Sequence, residues 1–207
     1  MSDTVSPASA TGSREAAIVA ALGRRCVVLV GMMGAGKSTI GRRLAARLRF
    51  LYHAAATEIA AMKIPEIFET HGEPHFRDGE ARVICRLLDT GPNVLATGGG
   101  AFMRAETRDR IAAKAVSLWL EADADVILRR VRRRADRPLL QTADPAATIA
   151  RLIAERHPVY RGADITIASH DVPHDKIVDE CVEALHLYFS RGGDAASANL
   201  PAPDPCR

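Results

Sequence analysis

A glycine-rich segment near the start of the chain ends in a lysine and two hydroxyl-bearing residues. It spans residues 31–39, reads GMMGAGKST, and directly follows the apolar run 26–30. Glycines let the backbone curl so that successive N–H groups point inward, and a following helix adds partial positive charge to the same concavity. This pattern is typical of a P-loop and predicts the binding of a nucleotide polyphosphate.

The polar residues of this loop have distinct predicted roles. Lys37 is expected to reach the β- and γ-phosphates, Ser38 to bind Mg²⁺, and Thr39 to hydrogen-bond a phosphate further back. The alternative is a glycine turn that only joins a strand to a helix. The apolar strand before the motif and the amphipathic helix after it favour the P-loop. Three further residues complete the predicted cradle: Gly34, Ala35 and Gly36.

Strands and helices that position this loop are predicted to alternate along the chain. Apolar runs predict strands over 26–30, 50–53, 94–97, 116–120 and 163–167, with helical patterns between them. Such alternation gives a parallel sheet covered on both faces, so the predicted fold class is α/β. Ligands bind at the carboxyl edge of such a sheet. Three glycines that directly follow a strand are therefore predicted to line a ligand site: Gly98, Gly99 and Gly100.

The bulk composition is that of an ordinary globular protein. The chain has 207 residues, of which 47% are apolar and 26% charged, and its formal net charge is +3. This length is most simply one domain. The slight charge implies no general nucleic-acid affinity, and no apolar run approaches the roughly 18 residues of a membrane span. We therefore predict neither a nucleic-acid partner nor a membrane partner.

The domain limits follow from composition. Segments 1–13 and 191–207 are predicted to be disordered tails, and a single domain is predicted over 14–190. Six arginines fall within residues 129–137, and they are interpreted as a solvated helix face that runs into a mobile lid at about 134–144. Four widely spaced cysteines are predicted to be isolated reduced thiols, as in the cytoplasm: Cys26, Cys85, Cys181 and Cys206.

Small P-loop proteins include GTPase switches, ATPase motors and small-molecule kinases. The chain has no N-K-x-D sequence to read guanine, and its apolar strands do not end in the Asp that a motor uses near Mg²⁺. A kinase needs lid arginines to close over the γ-phosphate and a pocket for its acceptor. Both have candidates in this sequence, which favours the kinase class.

Five blocks together resemble the shikimate kinases. They are GMMGAGKST at 31–39, FRDGE at 76–80, LATGGG at 95–100, RPLL at 137–140 and ERHPVY at 155–160. The blocks occur in the family's order, and the resemblance covers about residues 25–189.

This resemblance implies a P-loop kinase fold with a five-stranded parallel sheet, a lid and a small substrate-binding region at about 54–90. It also implies transfer of the ATP γ-phosphate to the 3-hydroxyl of shikimate, with Mg²⁺, by a cytoplasmic monomer of aromatic amino-acid biosynthesis. By resemblance, Arg77 and Arg156 hold the substrate carboxylate, the backbone near Gly99 lines the pocket, and Arg137 is the lid arginine that contacts ATP. For Arg77, a structural ion pair with Glu80 is the alternative.

One stretch departs from the family pattern. The family carries Asp-x-Asp after its second strand, and these positions fall here on Ala54 and Ala56. A methyl group can neither accept a proton nor orient a hydroxyl. Three interpretations stay open: a slowed shikimate kinase in which Glu58 or His53 partly compensates, an inactive relative that still binds its ligands, or a kinase for another small hydroxy acid.

Overall fold

The computed structural model describes residues 7–58, 64–132 and 144–193. Within these residues five parallel strands form one sheet in the order β2-β3-β1-β4-β5. The strands are β1 (Cys26–Val30), β2 (Leu51–Ala54), β3 (Asn93–Ala96), β4 (Ala115–Glu121) and β5 (Ile165–Ala168). The predicted α/β class and five-stranded parallel sheet are confirmed.

Helices connect the strands and cover the sheet. They are α1 (Pro7–Leu22), α2 (Lys37–Leu48), α3 (Ala55–Glu58), α4 (Ile64–Thr90), α5 (Ala105–Lys114), α6 (Ala124–Arg132), α7 (Pro145–Tyr160) and α8 (His174–Ser190), with a 3₁₀ turn at Ala101–Met103. Among the described helices, none is both long and apolar enough to cross a membrane.

The central strand β1 is buried along its whole length because it lies between β3 and β4. A strand that is buried on both faces needs an uninterrupted apolar sequence, which CVVLV supplies. In the parallel register Val28 pairs with Leu95 of β3 and with Ser117 of β4. The carboxyl ends of β1, β2 and β3 consequently meet at one edge, where the segments 31–39, 55–58 and 97–100 begin.

Three helix boundaries differ from the sequence predictions. The first helix begins at Pro7 rather than Arg14, since alanines extend it toward the N-terminus and proline suits a first turn. The break predicted at 71–75 is present but shorter, because α4 is interrupted at Gly72, whose φ of 79° and ψ of 165° are not helical. The last helix before β5 runs on to Tyr160, past its predicted end at Glu155, despite Pro158.

Arg137 and the predicted lid lie outside the described residues, except for Asp144, which caps α7 by accepting a hydrogen bond from the Ala147 amide.

The cysteines do not all match the prediction. Cys26 and Cys181 are buried free thiols. Cys85 is disulfide-bonded, so the prediction of isolated thiols is wrong for this residue. Wide spacing in the sequence sets no lower limit on distance in the fold.

Candidate active site

The loop 31–39 has a backbone that only glycine adopts readily at three positions. The φ angles are 131° at Gly31, 77° at Gly34 and 96° at Gly36, which is the residue before α2. An L-residue with a side chain is strained at such angles. The glycines therefore allow the chain to leave β1, curl, and enter α2 within a few residues.

Lys37 extends back over the mouth of this loop. Its Nζ donates hydrogen bonds to the carbonyls of Gly31 and Met32, both at 2.8 Å. Only 9% of the residue is exposed. The ammonium is thus already located where the chain enters the loop, and a phosphate in the loop would lie beside it. Ser38 is exposed and Thr39 half-buried at the start of α2.

A cavity of about 400 Å³ opens beside the loop, within the size range of small-molecule sites. It extends from the phosphate loop to Gly98 and Gly99, whereas the predicted acceptor residues Gly100, Arg77 and Arg156 are not among those that line it. Its lining comes from the loop and α2, the ends of β2 and β3, the end of α6, and the segment after β5. The sequence-predicted residues that line it are Gly34, Gly36, Lys37, Ser38, Thr39, Gly98 and Gly99. Ala35 is fully buried behind the loop.

Arg130 supports the loop from α6 and was not singled out by the sequence. Its guanidinium donates to the Gly34 carbonyl at 3.3 Å, to the Ser169 hydroxyl at 3.0 Å and to the His170 carbonyl at 2.8 Å. The Ser169 hydroxyl in turn donates to the carbonyl of Ala35 at 2.8 Å. Burial lowers the pKa of Arg130.

The interpretation of the whole arginine cluster as a solvated face is therefore wrong for Arg130. It lies three residues after the buried Ile127, and helical spacing could have placed it at the edge of the buried face. Its neighbour Arg129 does face outward, where it pairs with Asp171 at 3.3 Å.

Gly98 and Gly100 are packed against charged side chains from α4. Arg77 donates from Nη1 to Glu80 Oε2 at 2.8 Å, and the Gly98 amide donates to Glu80 Oε1 at 2.9 Å. A methyl group at Gly98 would lie 2.1 Å from Glu80 Oε1, and one at Gly100 would lie 2.6 Å from Arg77 Cζ. Glycine is needed at these two positions because the Glu80 and Arg77 side chains approach the backbone closely. The predicted alternative for Arg77, an ion pair with Glu80, is confirmed as a contact.

Arg156 approaches the same segment from α7. A methyl group at Gly99 would lie 3.4 Å from its Nη1 atom. That atom is buried and has no hydrogen-bond partner in the part of the chain that the structure describes. The structure therefore brings Arg77 and Arg156 to consecutive glycines. Two guanidinium groups, one with a buried donor to spare, form a suitable site for a carboxylate.

The last residue of β2 places a methyl group at the cavity. Ala54 lines the cavity, whereas the preceding His53 points to the other face of the strand, since side chains alternate along it. His53 Nδ1 lies 2.6 Å from Glu58 Oε1, and Arg86 donates to Glu58 Oε2 at 2.7 Å. Neither His53 nor Glu58 lines the cavity. Their compensation for the missing carboxylates gains no support from this geometry.

The loop fits a nucleotide with its divalent cation. Positive-φ glycines and the Lys37 ammonium provide the cradle, and the Ser38 hydroxyl at the cavity provides an oxygen ligand. Within the described ranges, no three side chains of His, Cys, Asp or Glu gather into a metal site. A cation at this edge would therefore bind largely through phosphate oxygens and water.

Comparisons with known proteins point to one family. The family model for shikimate kinase matches residues 33–186. The shikimate kinase of Rhodopseudomonas palustris is 76% identical over 193 residues, which are 91% of this chain and 95% of that protein. The shikimate kinase of Nitrobacter winogradskyi is 71% identical over 92% of this chain and 91% of that protein.

Solved structures are similar over most of their length. The shikimate kinase from Acinetobacter baumannii in complex with shikimate gives a TM-score of 0.77 at 32% identity, covering 86% of this chain and 99% of that chain. The Aquifex aeolicus enzyme gives 0.71 at 30% identity, covering 81% and 99%. With a family match over most of its length and such relatives, the chain belongs to the shikimate kinase family.

Proposed function

We propose that this chain transfers the γ-phosphate of ATP to the 3-hydroxyl of shikimate, the activity of its family. The observation that carries the proposal is the meeting of two arginines at consecutive glycines, beside a lysine-capped phosphate loop. The A. baumannii relative is described in complex with shikimate, a hydroxylated carboxylic acid. The cavity beside the loop suits a triphosphate, and the two arginines behind Gly99 and Gly100 suit a carboxylate.

On the nucleotide side, the chain's own groups bind and position phosphate. The loop backbone cradles the β- and γ-phosphates, and Lys37 exchanges its carbonyl partners for phosphate oxygens. Ser38 is proposed as the Mg²⁺ ligand, and the bound ion neutralises charge on the β- and γ-phosphates. Phosphoryl transfer depends on such positioning and charge neutralisation more than on covalent chemistry of the protein.

On the acceptor side, Arg156 offers the uncommitted donor. Its Nη1 atom binds one carboxylate oxygen of shikimate. Arg77 adds the positive charge of its guanidinium group, which is already paired with Glu80. The backbone of residues 98–100, the acceptor floor, lies beneath the shikimate ring. Holding the carboxylate at one end of a rigid ring directs a hydroxyl at the other end toward the γ-phosphate, which replaces a bimolecular encounter by a fixed geometry.

The proton of the attacking hydroxyl lacks an evident acceptor at Ala54. A positioned general base typically contributes about 10²- to 10⁴-fold to a rate. We therefore expect turnover that is slow relative to a chain with Asp at positions 54 and 56. A relative that binds both ligands with negligible turnover is the limiting case of the same geometry.

A coupled assay of ADP formation tests the proposal. ADP release by the full chain should depend on shikimate and on Mg²⁺, and the double change Ala54→Asp/Ala56→Asp should raise the rate by about 10²-fold or more. Shikimate binding, measured by calorimetry, should be present in both proteins. If neither protein binds shikimate while both bind Mg²⁺-ATP, the acceptor assignment is wrong.

Three finer assignments belong to the same proposal. Arg137 in the lid contacts ATP, and Arg137→Ala should raise the KM for ATP with little change in the KM for shikimate. The enzyme acts as a cytoplasmic monomer, which light scattering of the purified chain would check for the oligomeric state. It has no nucleic-acid partner, and duplex binding at low salt would contradict this.

A further inference from the structure

A buried tyrosine hydroxyl is bonded to the backbone of the acceptor floor. Tyr160, the last residue of α7, is 0% exposed, and its hydroxyl donates to the carbonyl of Gly99. Its ring lies 6.3 Å from that of Phe102 and 5.9 Å from that of Trp119, centroid to centroid. Burial raises the pKa of Tyr160 to about 12, while a side-chain hydrogen bond with Arg156 and the charges of Arg156 and Arg77 act in the opposite direction.

Gly99 is the point at which the two halves of the site touch. A methyl group there would lie 3.3 Å from the amide nitrogen of Met33 and 3.4 Å from the carbonyl oxygen of Gly31, both in the phosphate loop. It would lie equally close, at 3.4 Å, to Nη1 of Arg156. A shift of the Gly99 backbone would therefore change the distance between the acceptor arginine and the phosphate loop.

The segment that contains Gly99 is anchored just before this residue. Thr97 is bonded through its amide to the Leu29 carbonyl at 3.2 Å, and the Gly98 amide is bonded to Glu80 at 2.9 Å. The hydroxyl of Tyr160 is the group that satisfies the Gly99 carbonyl. Because Tyr160 and Arg156 are four residues apart on α7, one helix face supplies both the guanidinium and the anchor.

We infer that Tyr160 is a positioning residue, whose hydroxyl fixes the Gly99 carbonyl and so sets the acceptor floor against Arg156. The inference rests on the proposed function and names a further residue that this function needs. It assigns Tyr160 no contact with the substrate. Without the hydroxyl, the half-buried Gly99 carbonyl would lose its donor, and a short glycine segment can shift in response.

The test compares two tyrosine-to-phenylalanine changes. Tyr160→Phe keeps the aromatic packing and removes only the hydroxyl. Tyr52→Phe is the matched control, because the Tyr52 hydroxyl is also buried but has no hydrogen-bond partner among the described residues. For each protein, calorimetry measures the Kd of shikimate in the presence of Mg²⁺ and a non-hydrolysable ATP analogue, and separately the Kd of that analogue. Turnover is not needed for either measurement.

Tyr160→Phe should weaken shikimate binding by about tenfold, which corresponds to the loss of about 1.4 kcal/mol, and leave the nucleotide Kd unchanged. Amide hydrogen exchange over residues 98–101 should be faster than in the parent chain, with the strand amides of β1 and β4 unaffected. Tyr52→Phe should match the parent chain in all three measurements.

Equal shikimate Kd values for Tyr160→Phe and the parent chain would overturn the inference. So would a parallel loss of nucleotide and shikimate affinity with faster exchange throughout the sheet, which would indicate a purely structural role. Absence of shikimate binding in the parent chain would instead refute the proposed function. Exchange at 98–101 would then decide the inference alone, and unchanged exchange in Tyr160→Phe would overturn it.

Discussion

The phosphate loop and the acceptor floor occupy the same sheet edge but are built in opposite ways. The loop is one continuous segment whose conformation comes from its own glycines, with positive φ at Gly34 and Gly36. The acceptor floor, residues 98–100 after β3, is instead held by side chains from α4 and α7, which are far apart in the sequence. Its glycines are needed because side chains from the other elements press against them.

This difference decides how each half responds to change. In the loop, a substitution acts locally through backbone strain or loss of the ammonium. In the acceptor floor, a substitution acts through a partner on another helix, so stability and affinity change together. Four predictions use this contrast, beginning with the largest expected effect.

The largest effect is expected from Lys37→Met in the loop. Removal of the ammonium that we propose to contact the γ-phosphate should lower kcat by about 10³-fold, in line with the loss of a preorganised electrostatic group. The melting temperature should fall only slightly, because the buried Gly31 and Met32 carbonyls each lose one hydrogen-bond donor. Steady-state assays and a melting curve check this, with the exposed Lys176→Met on α8 as the control. Equal kcat values for the two variants would contradict it.

The two acceptor arginines should differ from each other in stability. Arg77→Met and Arg156→Met should each weaken shikimate binding by about 10- to 100-fold, as expected for charge-assisted hydrogen bonds. Only Arg77→Met should also lower the free energy of unfolding, by about 3 kcal/mol, since it leaves Glu80 as a buried charge without its partner. Glu80 is 1% exposed.

Urea titrations of both arginine variants provide the measurement. Arg156→Met should unfold near the same urea concentration as the parent chain, because removing a buried Nη1 atom that has no hydrogen-bond partner among the described residues offsets the loss of the hydrogen bond with Tyr160. Equal destabilisation by the two changes would show that Glu80 is satisfied without Arg77.

A glycine-to-alanine pair separates strain from crowding. Gly36→Ala should cost about 1–2 kcal/mol through its φ of 96°, since the nearest neighbouring atom would lie 3.7 Å from the added methyl group, and should weaken ATP binding. Gly98→Ala should cost about 1–3 kcal/mol through overpacking against Glu80 and should weaken shikimate binding. Calorimetry with each ligand distinguishes the two. If both variants lost affinity for the same ligand, the halves would not be structurally independent.

The smallest effect is expected from the pH response of His157, which lies beside Arg156 on α7. Burial lowers the pKa of His157, against the raising influence of Glu121 and Asp123 and together with that of Arg161. The folded chain thus favours the neutral ring, so its stabilising contribution is present above the ordinary pKa of about 6.5 and declines as the pH falls below it.

Melting curves across this pH range check the sign. The melting temperature of the parent chain should fall more steeply below that pH than that of His157→Gln, in which the ring cannot titrate. The same slope in both proteins would show that other groups determine the acid response.

The phosphate loop was predictable from the sequence because all its determinants are local. Glycine spacing, the lysine and the flanking apolar run lie within 14 residues, from Cys26 to Thr39, and each predicts its own conformation. The alternation of strands and helices likewise predicted the sheet. At Pro158 the helix continues through a residue that is usually a breaker, whereas at Gly72 the backbone leaves the helical conformation.

The partners of Arg130, Ser169 and Tyr160 could not be predicted from local sequence. Arg130 and Ser169 are 39 positions apart, and Tyr160 and Gly99 are 61 apart, so only the folded chain brings each pair together. A serine after a strand or a tyrosine at a helix end has no local pattern that signals its partner. The resemblance placed Arg77 and Arg156 at the acceptor, but it did not reveal that Glu80 forms its ion pair with Arg77 rather than with Arg156.

The aromatic group beneath the acceptor floor gives the protein a natural optical probe. Trp119 is the sole tryptophan of the chain, and its ring lies 5.0 Å from that of His157 and 5.9 Å from that of Tyr160. Its emission therefore originates next to the helix face that carries Arg156. Fluorescence titration of the unlabelled protein should therefore follow binding at the proposed carboxylate site in real time, and it does not require catalytic turnover.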